Sequence, residues 1–140
     1  MYIYFVGILI ALLWGVRPVL QKKILNDISP QTVMVIGGIL YFIFIMIYAL
    51  TNKDNVAKEI SNLTDEQKKI LLTISSVGFI ASLLYYYALS KESSAKVVTI
   101  TSIWPIFAIL FGTIILNEKF NPKLLIAVIV LLVLFNYIEN

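Results

Sequence analysis

Five runs of this chain contain no charged residue: 1–16, 28–52, 70–90, 97–117 and 124–138. A bilayer core of roughly 30 Å takes about 20 helical residues, within a range of about 17–25. The three middle runs reach that length unaided. The first reaches it by including Arg17 and Pro18, and the last by starting at Asn121. The expected spans are therefore about 2–23, 30–50, 68–89, 95–116 and 122–138. An odd number of crossings places the two chain ends on opposite sides of the membrane. A second copy can then pair with the first upside down, as the halves of inverted-repeat transporters do.

Composition supports an all-α transmembrane fold. The chain is 60% apolar and 14% charged, whereas soluble domains run at about 25% charged. The apolar runs are continuous rather than alternating, which favours helices over a barrel. The loops are too short to hold a further domain, so residues 1–140 read as one. Cysteine and histidine are both absent. That removes disulfides, thiol nucleophiles, imidazole bases and zinc sites, and no metal or cofactor is expected. An enzyme is not expected either, because no buried acid pair is available for proton transfer. The net charge of +3 is spread among loops, which suits anionic headgroups rather than nucleic acid. The N-terminus lacks a basic region and a cleavage site, so its apolar run is expected to stay as a span. The expectation is a multi-pass protein of the cell or cytoplasmic membrane.

Local signals set the helix ends. Ser29-Pro30 reads as an N-cap followed by the first helical residue. Thr64 and Gln67 fit a capping box, so the third span starts before the bilayer does. Ser93 or Ser94 caps the fourth span. Between residues 51 and 69, Val56, Ile60 and Leu63 can make a short amphipathic turn on the membrane surface. Gly7, Ala11 and Gly15 recur every four residues and form a flat ridge for close helix approach. Gly37, Gly38 and Gly112 are also read as packing or bending positions. Pro105, mid-way along the fourth span, lacks the N–H that would bond the Thr101 carbonyl.

Trp14-Gly15 followed by Lys22-Lys23, then Ser29-Pro30, resembles the junction of the first two helices of an EamA-like domain. Tyr85-x-x-Ala88-Leu89, a short polar link and Ala95 resemble that domain's third-to-fourth junction. Trp104-Pro105-Ile106-Phe107, Gly112 and Leu116-Asn117-Glu118 resemble its fourth helix. The chain is thus similar over its length to one EamA-like domain of the drug/metabolite transporter superfamily. The resemblance implies a five-helix bundle equivalent to one half of a ten-helix inverted-repeat transporter. Most members carry two such domains in tandem, and the 140 residues hold one. The four-helix small multidrug branch couples protons through an acid in its first helix, and residues 1–16 hold none.

The expected function is transport of small organic solutes or metabolites by a dimer that exposes a midplane cavity to each side in turn. The partner is a second copy, including an antiparallel one, or a separate half-size subunit. Lysine and arginine in flanking loops set orientation, and here six lie on one side against five on the other. So even a balance allows insertion both ways up. The rival reading is a non-transporting subunit that packs against another membrane protein.

Trp14, Arg17, Tyr85, Thr99, Ser102 and Trp104 are the candidate solute contacts. Arg17 either holds an anionic group in a cavity or snorkels to the interface. Tyr85, Tyr86 and Tyr87 form an aromatic belt or, for Tyr85, line a pocket together with the Ser75, Gly78 and Ser82 stripe. Thr99 and Ser102 bond a solute, a neighbouring helix or their own backbone. Trp104-Pro105 is a hinge, a pocket wall or filler. Glu118, at a helix end, is expected near Lys96, Lys119 or Lys123.

Overall fold

A computed structural model describes residues 2–139, with side chains outside positions 124, 131–132 and 135–139. Seven helices and no strand occur among the described residues. Between Lys91 and Glu92 the chain divides into two compact units.

The first unit holds α1 (Tyr2–Leu25), α2 (Pro30–Thr51), α3 (Lys53–Ser61) and α4 (Asp65–Lys91). Its helix starts follow side-chain chemistry that is local in sequence. Ser29 Oγ accepts the Thr32 N–H at 3.3 Å, and Pro30 opens α2. The capping box forms in both directions: Thr64 N–H donates to Gln67 Oε1 at 2.9 Å, and Gln67 N–H to Thr64 Oγ1 at 3.2 Å. We expect Ser29→Ala to destabilise the protein by about 1 kcal/mol through loss of this cap, measurable by denaturant unfolding in mixed micelles. Val56 and Ile60 of the expected amphipathic turn lie in the helix α3, about two and a half turns long, and Leu63 follows its end.

Buried side chains in this unit sit at one end. Pro18 near the end of α1, Val33 near the start of α2, and Tyr86 and Leu89 near the end of α4 are its buried residues. Chain direction brings these together, because α1 and α4 run one way and α2 runs back. Leu89 is fully enclosed, at 0% exposure. Elsewhere the helices present Phe5, Tyr41, Phe44, Ile74 and Phe79 outward. So much exposed apolar surface suits lipid, not water.

The second unit holds α5 (Ser94–Thr101), α6 (Trp104–Ile115) and α7 (Pro122–Glu139). Ser93 Oγ accepts the Lys96 N–H at 3.2 Å and caps α5. The expected single fourth helix is interrupted at Ser102–Ile103. Pro105 therefore lies in the first turn of α6, where a missing N–H is harmless, rather than inside a continuous helix. Two causes combine. The ring of Pro105 would clash with the Thr101 carbonyl in an unbroken helix. Thr101 Oγ1 donates to the Val97 carbonyl at 2.8 Å and to the Val98 carbonyl at 3.1 Å, and Ser102 Oγ donates to the Val98 carbonyl at 2.7 Å. Such back-bonds loosen the turn they act on.

The end of α6 is a left-handed cap. Asn117 has φ 53°, and the Glu118 N–H reaches back to the Gly112 carbonyl at 3.2 Å. The bond spans six residues, one more than in a Schellman turn, and Asn117 takes the left-handed conformation that glycine usually takes after a helix.

Among the described residues, four stretches are long and apolar enough to cross a membrane: Tyr2–Leu25, Pro30–Thr51, Asp65–Lys91 and Ser94–Ile115.

Candidate functional site

A polar cluster lies where α1 and α4 meet. On α1, Trp14, Arg17, Pro18 and Gln21 share a face by helical spacing. On α4, three consecutive tyrosines have three different surroundings, as a rotation of about 100° per residue requires. Tyr85 is half-buried and lies within electrostatic reach of Arg17. Tyr86 is buried, and its hydroxyl accepts a hydrogen bond from Gln21 Nε2 at 2.8 Å. Tyr87 is exposed, with the Lys91 ammonium 5.7 Å from its ring centre. Only Tyr87 has the surroundings of an interfacial belt residue.

Two further contacts fix this end of the unit. Lys22 Nζ donates to the Leu89 carbonyl at 2.8 Å. That carbonyl is in the last turn of α4, where intrahelical donors run out and a cation complements the helix dipole. The Tyr86 hydroxyl also lies 3.6 Å from where a Cβ on Gly37 would stand, so α2 meets the same cluster. Gln21 Oε1 is buried and has no hydrogen-bond partner.

The six sequence candidates are distributed as follows. Arg17 and Tyr85 come together, while Arg17 stays exposed and forms no ion pair among the described residues. Trp14, two-thirds exposed, lies one turn from Arg17 on α1. In the second unit, Thr99 is half-buried, Ser102 bonds its own backbone, and Trp104 opens α6 with its ring exposed. Ser75, from the α4 stripe, likewise bonds back to the Leu71 carbonyl at 2.9 Å.

Among the packing candidates, Gly37 has a neighbour at ordinary contact distance, whereas Gly7, Gly15 and Gly38 have nothing within 4 Å of an added Cβ. Ala11, between the two α1 glycines, is exposed as well. Gly112 differs, since an added Cβ would stand 2.7 Å from Glu118 Oε2. The Glu118 carboxylate folds back over the glycine and makes no ion pair among the described residues. Lys96, expected near it, pairs with Glu92 at 3.0 Å one turn away on its own segment. Because a glutamate side chain swings aside easily, Gly112→Ala should fold and change stability by less than about 1 kcal/mol in the same unfolding assay.

Gln21, Lys22 and Tyr86 were not singled out as functional by sequence. The available signal was Gln21, a polar residue on the Trp14–Arg17 face of a span. A separate groove of about 460 Å³ runs between α2 and α4, lined by Met34, Gly38, Phe42, Phe79 and Leu83 with Gln31 among them. It is almost wholly apolar and does not include the Arg17 cluster. Among the described residues no group of acidic side chains is placed to hold a metal ion.

The model of the EamA-like transporter family matches residues 1–135. The chain belongs to that family. It is therefore a member of the drug/metabolite transporter superfamily, held here as a single EamA domain in 140 residues. Family membership and the apolar helices make it a multi-pass membrane protein in contact with lipid. Members of the EamA family are transporters rather than enzymes, and the family reading is a membrane transporter of small solutes. No curated protein matches the chain, and no solved structure does.

Proposed function

We propose that this EamA-family chain is half of a solute transporter and works as a dimer. Residues 1–140 form one five-helix domain, and two such domains make the ten-helix inverted repeat. The fifth crossing is α7, whose 18 residues extend about 27 Å at 1.5 Å each. A midplane cavity between the two halves holds a small organic solute and opens to one side at a time.

The observation that carries this reading is Arg17. It lies five residues before Lys22, or about 7.5 Å deeper along the helix axis, on the face that meets Tyr85. A guanidinium placed there within a span calls for an anionic partner or water, and none of the chain's acids pairs with it among the described residues. Trp14, Arg17 and Tyr85 in the first unit, and Thr99, Ser102 and Trp104 in the second, are the solute contacts we propose. The break at Ser102–Ile103 and the glycine pair in α2 supply places to bend. The exposed Gly7, Ala11 and Gly15 stripe suits close approach by a second subunit. The near-equal charge balance allows that subunit to be an antiparallel copy in the same membrane.

No acid occurs in the middle of the spans, so solute exchange or facilitated diffusion is favoured over proton antiport. Purified protein in liposomes, loaded in turn with amino acids, nucleosides and sugar phosphates, tests the proposal. Saturable counterflow of one class is expected. Flux equal to empty liposomes for every class, from folded protein, favours a non-transporting subunit instead.

A further inference from the structure

We infer that Gln21 and Tyr86, together with Lys22 on the Leu89 carbonyl, form a latch between the ends of α1 and α4 that gates one end of the proposed solute path. The inference rests on the transport reading, because a gate needs a path to close. Four observations converge on it.

First, the closure is confined to one end. Pro18, Val33, Tyr86 and Leu89 are buried there, while Gly15 on α1 and Gly78 on α4, farther along the same helices, have nothing within 4 Å of an added Cβ. Second, the link between α1 and α4 is made by two polar contacts of 2.8 Å, Gln21 to Tyr86 and Lys22 to the Leu89 carbonyl. Both sit in the last two turns of their helices, where water can take over each bond when the helices part. Third, closing leaves Gln21 Oε1 buried without a partner. Opening to water satisfies that oxygen, so the closed arrangement is not held too tightly to release. Fourth, the pair lies next to the candidate solute contacts. Gln21 is one turn beyond Arg17 on α1, and Tyr86 adjoins Tyr85 on α4. A solute held at Arg17 and Tyr85 would rest directly against the closed pair. A two-state contact of this kind is what alternating access requires.

The absence of cysteine makes site-directed labelling unambiguous. Spin labels on Lys23→Cys and Lys91→Cys, diluted with unlabelled protein, report the distance between the ends of α1 and α4 within one chain. The full-length protein in liposomes should show one dominant short distance. Tyr86→Phe keeps the ring and removes only the hydroxyl, and Gln21→Ala removes the other partner. Each should raise the long-distance population by about threefold to tenfold, the shift expected when a two-state balance loses a neutral hydrogen bond. Distances unchanged in both variants overturn the gate. Parallel counterflow separates the two claims. Flux with unchanged distances removes the gate and keeps transport, whereas a distance shift with no flux for any solute class removes the transport reading.

Discussion

Replacing Arg17 by alanine should lower counterflow of anionic solutes by about tenfold to a hundredfold, the usual loss when a hydrogen bond to a charged group is removed. Arg17 is exposed, forms no ion pair among the described residues, and lies near Tyr85 on the polar face of α1. Removing it therefore costs the fold little and the solute much. Arg17→Lys keeps the charge but loses the planar fork that grips carboxylate or phosphate, so its flux should fall between wild type and alanine. The snorkelling alternative makes the opposite forecast: equal flux in all three proteins, with a change only in how the span sits in the bilayer. Measuring counterflow at matched protein content distinguishes them.

Replacing Leu89 by alanine should destabilise the protein by about 2–5 kcal/mol. Its side chain is the one fully enclosed among the described residues, at the point where α1, α2 and α4 come together. In lipid there is no hydrophobic drive between helices, and packing carries most of the association. An enclosed leucine therefore matters more than its apolar character alone suggests. Leu72→Ala, on the same helix but 70% exposed, should stay within about 0.5 kcal/mol. Denaturant unfolding of the two variants in mixed micelles reads the contrast. Equal effects would mean that the junction of the three helices is not the stable centre of the first unit.

The two units differ in how much their sequence disclosed. Helix starts at Ser29, Thr64 and Ser93 were legible because a cap and its target lie within three residues. The short helix α3 was legible from the spacing of Val56 and Ile60. The interruption of the fourth span was only half legible. Pro105 marked a disturbance, but the choice of Ser102–Ile103 depended on two hydroxyls turning back to the Val98 carbonyl. The polar cluster was the least legible part. Gln21 and Tyr86 are 65 residues apart, and nothing local says which of three adjacent tyrosines turns inward. Lys22 binds a backbone carbonyl, a partner that carries no side-chain signature at all. The pairing of Lys96 with Glu92 rather than Glu118 reflects distance along the chain, since an i, i+4 neighbour is available without any tertiary arrangement.

The proposed transport depends on a polar seam in one chain being completed by a second. The most direct measurement is the symmetry of the assembled protein in lipid nanodiscs. The account calls for two copies related by a two-fold axis in the membrane plane, with Arg17 of each facing a shared, solvated cavity. A lone chain whose α1 and α4 face only lipid or each other, with no space for a solute, would contradict it.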